Sequence, residues 1–327
     1  MVRRAGGEHS FKPRHPCAAD SERMKRGLII TAVAVAVVAA ALLTNTLLGS
    51  RQAAAATGSP LLTVDGGLMH VREDGPAGAP ALVLIHGLGG SSRWWDGVVP
   101  ALARSRHVVR VDLLGHGDSA KPADADYSIP AQARRVGQVL DQLHIQHAVL
   151  VGHSTGGYVA TSLAEQRPGL VDALALIDTG PRLDLFASEG FTGKLVEAPV
   201  VGQLLWRVRT EGLVRKSLSS AFAPGFTAPA DIVDDVRAMT YHGLLATSHA
   251  SDDYLTQRTM PERLSALGKP LLVIFGRQDQ RWPVSSAELY RAVAGARIEV
   301  VADSGHSPMV EDPARTAELL SGFPPAA

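Results

Sequence analysis

Residues Val149 to Gly157 read Val-Leu-Val-Gly-His-Ser-Thr-Gly-Gly and are the most informative segment of this chain. Its apolar run is typical of a buried strand, and Gly-x-Ser-x-Gly is typical of a sharp turn from a strand into a helix. The glycines leave room for a strained backbone that lifts the serine hydroxyl clear of the strand end. We therefore predict that Ser154 is a catalytic nucleophile. The backbone N–H of Thr155, where the helix begins, is predicted to point at an oxyanion formed beside the serine.

Taken alone, Gly-x-Ser-x-Gly also fits an ordinary strand-to-helix turn in a chain with 32 glycines, so the hypothesis needs catalytic partners. Two occur downstream, each in a loop after an apolar, strand-like run: Asp279 in Gly-Arg-Gln-Asp and His306 in Asp-Ser-Gly-His. Their order along the chain, serine then acid then histidine, is that of a nucleophile with its acid and base. We predict that Asp279 orients His306. Asp178, which directly follows another apolar run, is the alternative acid.

These segments together resemble the α/β-hydrolase superfamily, in its serine-nucleophile branch of esterases and lipases with a helical cap. Two further segments carry the resemblance: His-Gly-Leu-Gly-Gly at 86–90 and Asp-Leu-Leu-Gly-His-Gly-Asp-Ser at 112–119. The resemblance covers the chain from Leu61 to its C-terminus. It implies that the backbone N–H of Leu88 is an oxyanion donor together with that of Thr155.

The predicted fold class is α/β, with a mostly parallel central sheet and helices on both faces. Strand alternates with helix up to about residue 180, which favours parallel pairing. The alternation then stops, and residues 181–267 are predicted to form an inserted helical cap over the serine. The candidate strands are Leu61–Val64, Leu68–Val71, Ala81–Ile85, Val108–Asp112, Ala148–Gly152, Leu174–Asp178, Leu271–Phe275 and Ile298–Val301.

The N-terminal segment is predicted to interact with a membrane. It is basic up to Arg26, and no charged residue occurs from Gly27 to Ser50. This uncharged length suits a transmembrane anchor, whereas the alanines at 53–56 offer cleavage sites of a signal peptide. Both interpretations place the catalytic domain outside the cytoplasm, anchored or secreted; a segment that is neither stays an alternative, and Met24 is a second possible start.

The predicted division of the chain combines these observations. It comprises a basic tail at 1–27, a transmembrane or signal helix at 28–49 and a linker at 50–60. The hydrolase core then occupies two segments, 61–180 and 268–327, and the cap at 181–267 is inserted between them.

Composition argues against several other classes of protein. Lys plus Arg and Asp plus Glu number 32 each, so no net field attracts nucleic acid. The single cysteine, Cys17, precedes the catalytic domain, which therefore has no internal disulfide. The chain has no metal-binding spacing such as His-Glu-x-x-His, and the glycines at 87–90 lack the spacing of a dinucleotide fingerprint. We expect neither a metal nor a cofactor.

The expected activity is hydrolysis of a small ester-like molecule, apolar to judge from the cap aromatics, by a triad of Ser154, His306 and Asp279. The resemblance also implies that a serine in the nucleophile position disfavours dehalogenase and epoxide hydrolase chemistry. Other chemistry on the same triad stays open: hydrolysis of a carbon–carbon bond beside a ketone, perhydrolysis, or lyase activity. A non-catalytic small-molecule receptor is the alternative from another class, because fold alone does not exclude it.

Overall fold

The computed structural model describes residues 18–50, 60–187 and 197–324. The chain forms two compact units, Met1–Asn45 and Thr46–Ala327, which we describe separately. The described part of the first unit is helical and belongs to α1, Ala18–Ser50. This helix begins within the charged segment, where Arg26 and Glu22 form an ion pair of 3.9 Å one turn apart.

The helix expected over residues 28–49 is therefore present, but its expected membrane span is not supported. Among the described residues, no helix combines the length and the apolar character that crossing a bilayer requires. The start of the basic tail and the alanines at 53–56, the predicted sites of signal cleavage, lie outside the described residues.

The second unit is built on an eight-stranded sheet with the order β1-β2-β4-β3-β5-β6-β7-β8. Strand β2 pairs antiparallel with β1 and β4, and the other neighbours pair in parallel. Every predicted strand is present. The largest differences are a three-residue extension of β2 beyond Val71, because its last residues pair with β4 as far as Asp74, and a start of β6 at Val171, three residues before the predicted Leu174. The strands are β1 Leu61–Val64, β2 Gly67–Asp74, β3 Ala81–Ile85, β4 His107–Val111, β5 Ala148–His153, β6 Val171–Ile177, β7 Leu271–Gly276 and β8 Arg297–Val301.

Both faces of the sheet are apolar and covered by helices, as a parallel sheet requires. Along β3, Leu82 and Leu84 belong to one hydrophobic cluster, whereas Val83 and Ile85 belong to the other. The cluster with Val83 also contains side chains of the helices Ile129–Gln142 and Thr155–Gln166. The cluster with Leu82 contains side chains of the helices Val99–Leu102 and Pro313–Ser321. The helices of the core are α2 Val99–Leu102, α3 Ile129–Gln142, α4 Thr155–Gln166, α10 Pro308–Glu311 and α11 Pro313–Ser321.

The described chain between β6 and β7 is mainly helical, in the region predicted as a cap. Its side chains extend both clusters: Phe222, Ile232 and Val236 join that of Leu82, and Tyr254 joins that of Val83. The helices of this insertion are α5 Pro199–Arg207, α6 Glu211–Ser217, α7 Ala230–Ala238, α8 Tyr241–Gln257 and α9 Met260–Leu267.

The strand register brings the carboxyl ends of the central strands together. Ile85 at the end of β3 is level with Gly152 of β5, His153 is level with Ile177 of β6, and Gly276 of β7 is level with Val301 of β8. The loops that follow β3, β5, β6, β7 and β8 therefore emerge at one edge of the sheet. Ligand sites of open α/β sheets lie outside this edge.

Gly276, the last residue of β7, lies close to the loop that contains His306. We therefore predict that Gly276→Ala destabilises the fold. An added Cβ would overlap the carbonyl oxygen of Gly305 and lie 2.6 Å from that of Ser304. We expect the free energy of unfolding, measured in urea, to fall by about 1–3 kcal/mol or more, because backbone cannot move aside cheaply. Gly169→Ala, where nothing lies within 4 Å of the added carbon, is the control. Equal stability of the two variants would contradict this account.

Candidate active site

Ser154 lies on the turn between β5 and α4 in a backbone conformation that non-glycine residues rarely adopt. Its φ is 51° and its ψ is −120°. Hydrogen bonds hold this strain in place: the Ser154 N–H donates to the carbonyl of Ile177 (2.8 Å), and its own carbonyl accepts from Gly157 N (2.9 Å) and Thr179 Oγ1 (3.2 Å). Backbone strain of this kind persists where surrounding structure enforces it, which is common at functional sites.

The glycines of the motif are required by close backbone packing. A Cβ on Gly156 would overlap the carbonyl oxygen of Ile85 and lie 2.5 Å from that of His86. A Cβ on Gly152 would lie 2.5 Å from the Cα of Gly157. The first turn of α4 therefore lies directly against the end of β3, so the serine turn and the loop after β3 are neighbours.

His306 and Asp279 form a buried pair. Nδ1 of His306 lies 2.9 Å from Oδ2 of Asp279, and both side chains are fully inaccessible to solvent. The other carboxylate oxygen accepts backbone N–H groups from Arg281 (2.7 Å) and Trp282 (3.2 Å). Burial by itself would raise the pKa of Asp279, but His306 and these donors outweigh it, and the pKa is lowered. The carboxyl group is therefore ionised, and Nδ1 of His306 carries the proton that it donates.

His306 reaches the serine turn through His153. The Nε2–H of His153 donates to the carbonyl of His306 (2.7 Å), and the two ring centroids are 5.0 Å apart. Nε2 of His306 is buried and has no hydrogen-bond partner in the described structure. Burial and the neighbouring His306 lower the pKa of His153 well below its ordinary value, so His153 is neutral. Among the described residues, Nε2 of His306 is thus an unpaired acceptor on a ring that lies against His153, the residue that precedes Ser154.

The loop of residues 86–90 lies against the serine. A Cβ on Gly87 would be 3.0 Å from Cβ of Ser154 and 2.9 Å from Nδ1 of His153. His86 shapes the loop: its Nδ1–H donates to the Gly87 carbonyl (2.8 Å), and its Nε2 accepts from Leu113 N (3.0 Å). Burial lowers the pKa of His86, which keeps the ring neutral in this bracing role. Leu88, a predicted oxyanion donor, follows Gly87 directly.

The helical insertion contacts the site from two helices. Thr155, at the first position of α4, has its hydroxyl 3.1 Å from that of Ser251 in α8. Asp235 of α7 accepts a hydrogen bond of 2.5 Å from the hydroxyl of Ser91 and forms an ion pair with Arg93. The insertion is thereby tied to the loop after β3 and to the helix behind the serine.

Sequence reasoning did not identify Asp235 or His153 as residues of the site. The available signal for Asp235 was its place between apolar residues of α7, Ile232, Val233 and Val236, which puts a carboxyl group beside the buried face of that helix. His153 occupies the variable position of the Gly-x-Ser-x-Gly turn, which the motif leaves unspecified.

In the described part of the chain, two groups of histidine and aspartate side chains have potential metal-ligating atoms within 4.8 Å of one another: His70 with Asp112 and Asp118, and Asp178 with Asp279 and His306. In the first, Asp112 already accepts from Nδ1 of His70 (2.8 Å) and from the backbone N–H of Asp118 (2.8 Å). In the second, His306 and Asp279 are already bonded to each other. Hydrogen bonds account for both arrangements, and we assign a metal to neither.

Comparison with known proteins identifies the family. Residues 80–313 match the model of the family described as alpha/beta hydrolase fold. The chain is 34% identical over 259 residues to an uncharacterized protein of Mycobacterium tuberculosis, with 75% of each chain covered. It is 33% identical over 270 residues to a 2-hydroxymuconate semialdehyde hydrolase of a Pseudomonas species, covering 76% of this chain and 88% of that protein.

A solved structure agrees with this result. The crystal structure of a membrane phospholipase A, described as a bacterial virulence factor, superposes with a TM-score of 0.66 at 27% identity, covering 93% of this chain and 100% of that one. The chain belongs to the α/β-hydrolase family, and its fold and its relatives make it a hydrolase.

The buried carboxyl of Asp235 predicts a pH dependence of stability. Burial raises its pKa to about 6, against 3.8 for an ordinary aspartate, despite hydrogen bonds from Ser91 and Arg93. The folded state thus keeps a proton that the unfolded chain releases. The retained proton stabilises the folded state by on the order of 3 kcal/mol below about pH 4. This stabilisation is lost as the pH rises to about 6.

Asp235→Asn removes this ionisation, so the difference in unfolding free energy between wild type and variant is expected to change between pH 4 and pH 6 and to be constant above. Chemical denaturation at a series of pH values measures it. Asp234→Asn is the matched control, because the adjacent Asp234 is exposed and pairs with Arg237 at the surface (3.0 Å). Parallel stability curves for wild type and Asp235→Asn would refute the assignment.

Proposed function

We propose that the protein is a serine hydrolase that cleaves carboxylic esters, including related lactones and thioesters, through an acyl-enzyme on Ser154. The observation that carries this proposal is the hydrogen bonding of His306. Its Nδ1–H donates to the buried Asp279 carboxylate, which leaves Nε2 as the only acceptor of the ring, and that atom has no partner in the described structure. An imidazole held in this tautomer is what a serine nucleophile needs as its general base.

The proposed reaction proceeds in two halves. Oγ of Ser154 attacks the ester carbonyl while its proton moves to Nε2 of His306, and Asp279 stabilises the imidazolium that results. The tetrahedral intermediate collapses, the C–O bond to the alcohol breaks, and the alcohol leaves with the proton from Nε2. Water then attacks the acyl-enzyme by the same proton transfers and releases the acid.

Backbone donors would stabilise the oxyanion of both tetrahedral intermediates. The proposed donors are the N–H groups of Leu88 and Thr155. Support comes from the contact of Gly87 with Ser154 and from the place of Thr155 at the first turn of α4, where helical N–H groups have no partner within the helix. Each such donor is typically worth a factor of about 10² to 10³ in turnover.

A small, apolar ester is the proposed substrate. The membrane phospholipase A, which resembles this chain over most of its length, is named for an ester substrate. The helical insertion contributes apolar residues such as Phe222 and Val236 near the loop after β3, since Val236 lies 3.2 Å from the site of an added Cβ on Gly89. An apolar wall above the oxyanion loop favours an apolar acyl or alcohol group.

A second candidate reaction is hydrolysis of a carbon–carbon bond beside a ketone. It is favoured by the 33% identity to a 2-hydroxymuconate semialdehyde hydrolase, because that substrate contains no ester. The two candidates are distinguished by assaying the purified protein against both substrate types.

Replacement of the nucleophile tests the function. Ser154→Ala is expected to lower turnover of p-nitrophenyl esters of graded acyl length by a factor on the order of 10⁴ to 10⁶, because no other group can form the acyl-enzyme. Ser162→Ala is the control, because Ser162 lies two turns further along α4 and its hydroxyl accepts a hydrogen bond from Gln166 (3.2 Å). Ester hydrolysis that survives in Ser154→Ala would refute the proposed nucleophile.

A folded wild-type protein that turns over only the semialdehyde would favour the second reaction, and one that turns over neither would favour a receptor.

We further propose that residues 28–49 bring the catalytic domain to or across a membrane, so that the domain works outside the cytoplasm. The proposal depends on the sequence, namely the uncharged run from Gly27 to Ser50 behind a basic segment, since the described helices do not support a span.

Fractionation of expressing bacteria tests the membrane proposal. The full chain is expected in the membrane fraction, or outside the cytoplasm in a shortened form if the segment is cleaved, whereas a chain beginning at Thr57 is expected in the cytosol. Mass spectrometry of each fraction defines the N-terminus. A full-length chain recovered from the cytosol would contradict the proposal.

A further inference from the structure

Asp178 lies at the carboxyl end of β6 and is completely buried. Like Ser154, it has a positive φ, in this case 43°. Its N–H donates to the carbonyl of Ile274 (2.8 Å), and its Oδ1 accepts the N–H of Gly276 (2.9 Å), the residue at which β7 turns toward Asp279. A strained, buried aspartate is thus held by the strand that carries the catalytic acid.

The side chain of Asp178 faces the buried pair. One side-chain atom each of Asp178, Asp279 and His306 lie within 4.8 Å of one another, and all three residues are buried. Oδ2 of Asp178 receives no N–H or O–H donor in the described structure. The neighbouring acidic side chain is that of Asp279.

Two carboxylates at this distance in a dry site cannot both stay ionised, so one of them carries a proton. Asp279 has the better place for a negative charge, because His306 and two backbone N–H groups donate to it. Among the described residues, the only donor to the side chain of Asp178 is the N–H of Gly276. In agreement, burial and the charge of Asp279 raise the pKa of Asp178 well above its ordinary value, whereas that of Asp279 is lowered.

We propose that Asp178 is a positioning residue that stays protonated during turnover and donates its carboxyl O–H to Asp279. The proton does not leave Asp178 in any step. The bond fixes the rotamer of Asp279 from the side opposite His306, so that the carboxylate points at Nδ1 and keeps one negative charge for the imidazolium. The inference extends the proposed function, because it assigns a role within the same triad.

Other titratable groups lie near Asp178, Asp279 and His306 and also influence the pH profile of activity. Glu311, whose carboxylate accepts the N–H groups of Gly305 and Ser307, acts on Asp178. His153 lies against His306, and the charge of Arg281 acts on His153. All of these are unchanged in variants of Asp178, so a change in the pH profile reports on Asp178 itself.

Asp178→Asn and Asp178→Leu are the variants that decide the question. Asparagine has the same size as aspartic acid and keeps a hydrogen-bond donor, so its kcat is expected within about tenfold of wild type. The acidic limb of the pH profile of kcat/KM, which reports the loss of a proton from His306, is expected at the same pH as in wild type. Leucine has similar volume and no donor. Its kcat is expected to fall on the order of 10- to 100-fold with little change in KM, and its acidic limb to move to higher pH, because a less stabilised Asp279 carboxylate holds the imidazolium more strongly.

An ionised Asp178 would give the opposite result for asparagine. Removal of a negative charge near His306 would then lower the acidic limb by on the order of one pH unit, which would overturn the proposal. Equal losses of kcat in the two variants would also overturn it, since they would show that the donor is not what matters.

A spectroscopic measurement makes the test independent of catalysis. In Ser154→Ala protein at pH 8, infrared spectra are expected to show the carbonyl stretch of a protonated carboxylic acid, and the band is expected to vanish in Ser154→Ala/Asp178→Asn. Absence of the band in the first protein overturns the proposal. If wild type lacks ester turnover but the band is present, the proposed reaction fails and the assignment of the proton stands.

Discussion

The site depends on the approach of the first turn of α4 to the end of β3. At Gly156 the two backbones are so close that a single added carbon would overlap the Ile85 carbonyl oxygen. The approach forces Ser154 into its positive φ, because β5 must reverse into the helix within one residue while Gly152 remains level with Ile85. It also brings the 86–90 loop, which continues from β3, against the serine. One backbone contact therefore positions both the proposed nucleophile and the loop that is proposed to hold the oxyanion.

Burial determines which groups near the serine carry charge. His86 and His153 are buried among backbone partners and lose their protons readily, so neither competes as a base or adds a positive charge. Asp279 keeps its charge because four groups act on it: His306, two backbone N–H donors and the neighbouring Asp178 carboxyl. The result is an ionised aspartate that accepts a hydrogen bond from an imidazole, and both side chains are fully buried. Low dielectric surroundings strengthen that interaction.

Sequence predicted the parts of the molecule that local physics determines. The eight strands follow from short apolar runs bounded by turn residues, and the serine turn follows from glycine spacing, so both could be predicted from neighbouring residues. Strand β2 was predicted too short, because its last residues are ordered by pairing with β4, which the local pattern does not contain. The helix over residues 28–49 was predicted, but its N-terminal limit at Ala18 was not, since charged residues continue it. The contacts of Asp178 and Asp235 join segments 98 to 144 residues apart, and no local pattern encodes them.

The polar contacts of the insertion connect helix α7 to the segment that follows the 86–90 loop. Ser91 and Arg93 follow the 86–90 loop directly, and both bond to Asp235 in α7, while Val236 packs on Gly89 of the loop itself. Helix α7 is thus attached to the loop that is proposed to bind the oxyanion. Substitutions at these contacts must also alter the support of that loop, because packed groups move together rather than independently. Such an attachment favours a loop that is in place before substrate binds, which is the condition under which backbone donors stabilise a transition state without a cost of reorganisation. Substitutions in the insertion are therefore least costly to the proposed oxyanion loop in helices that do not contact residues 86–90.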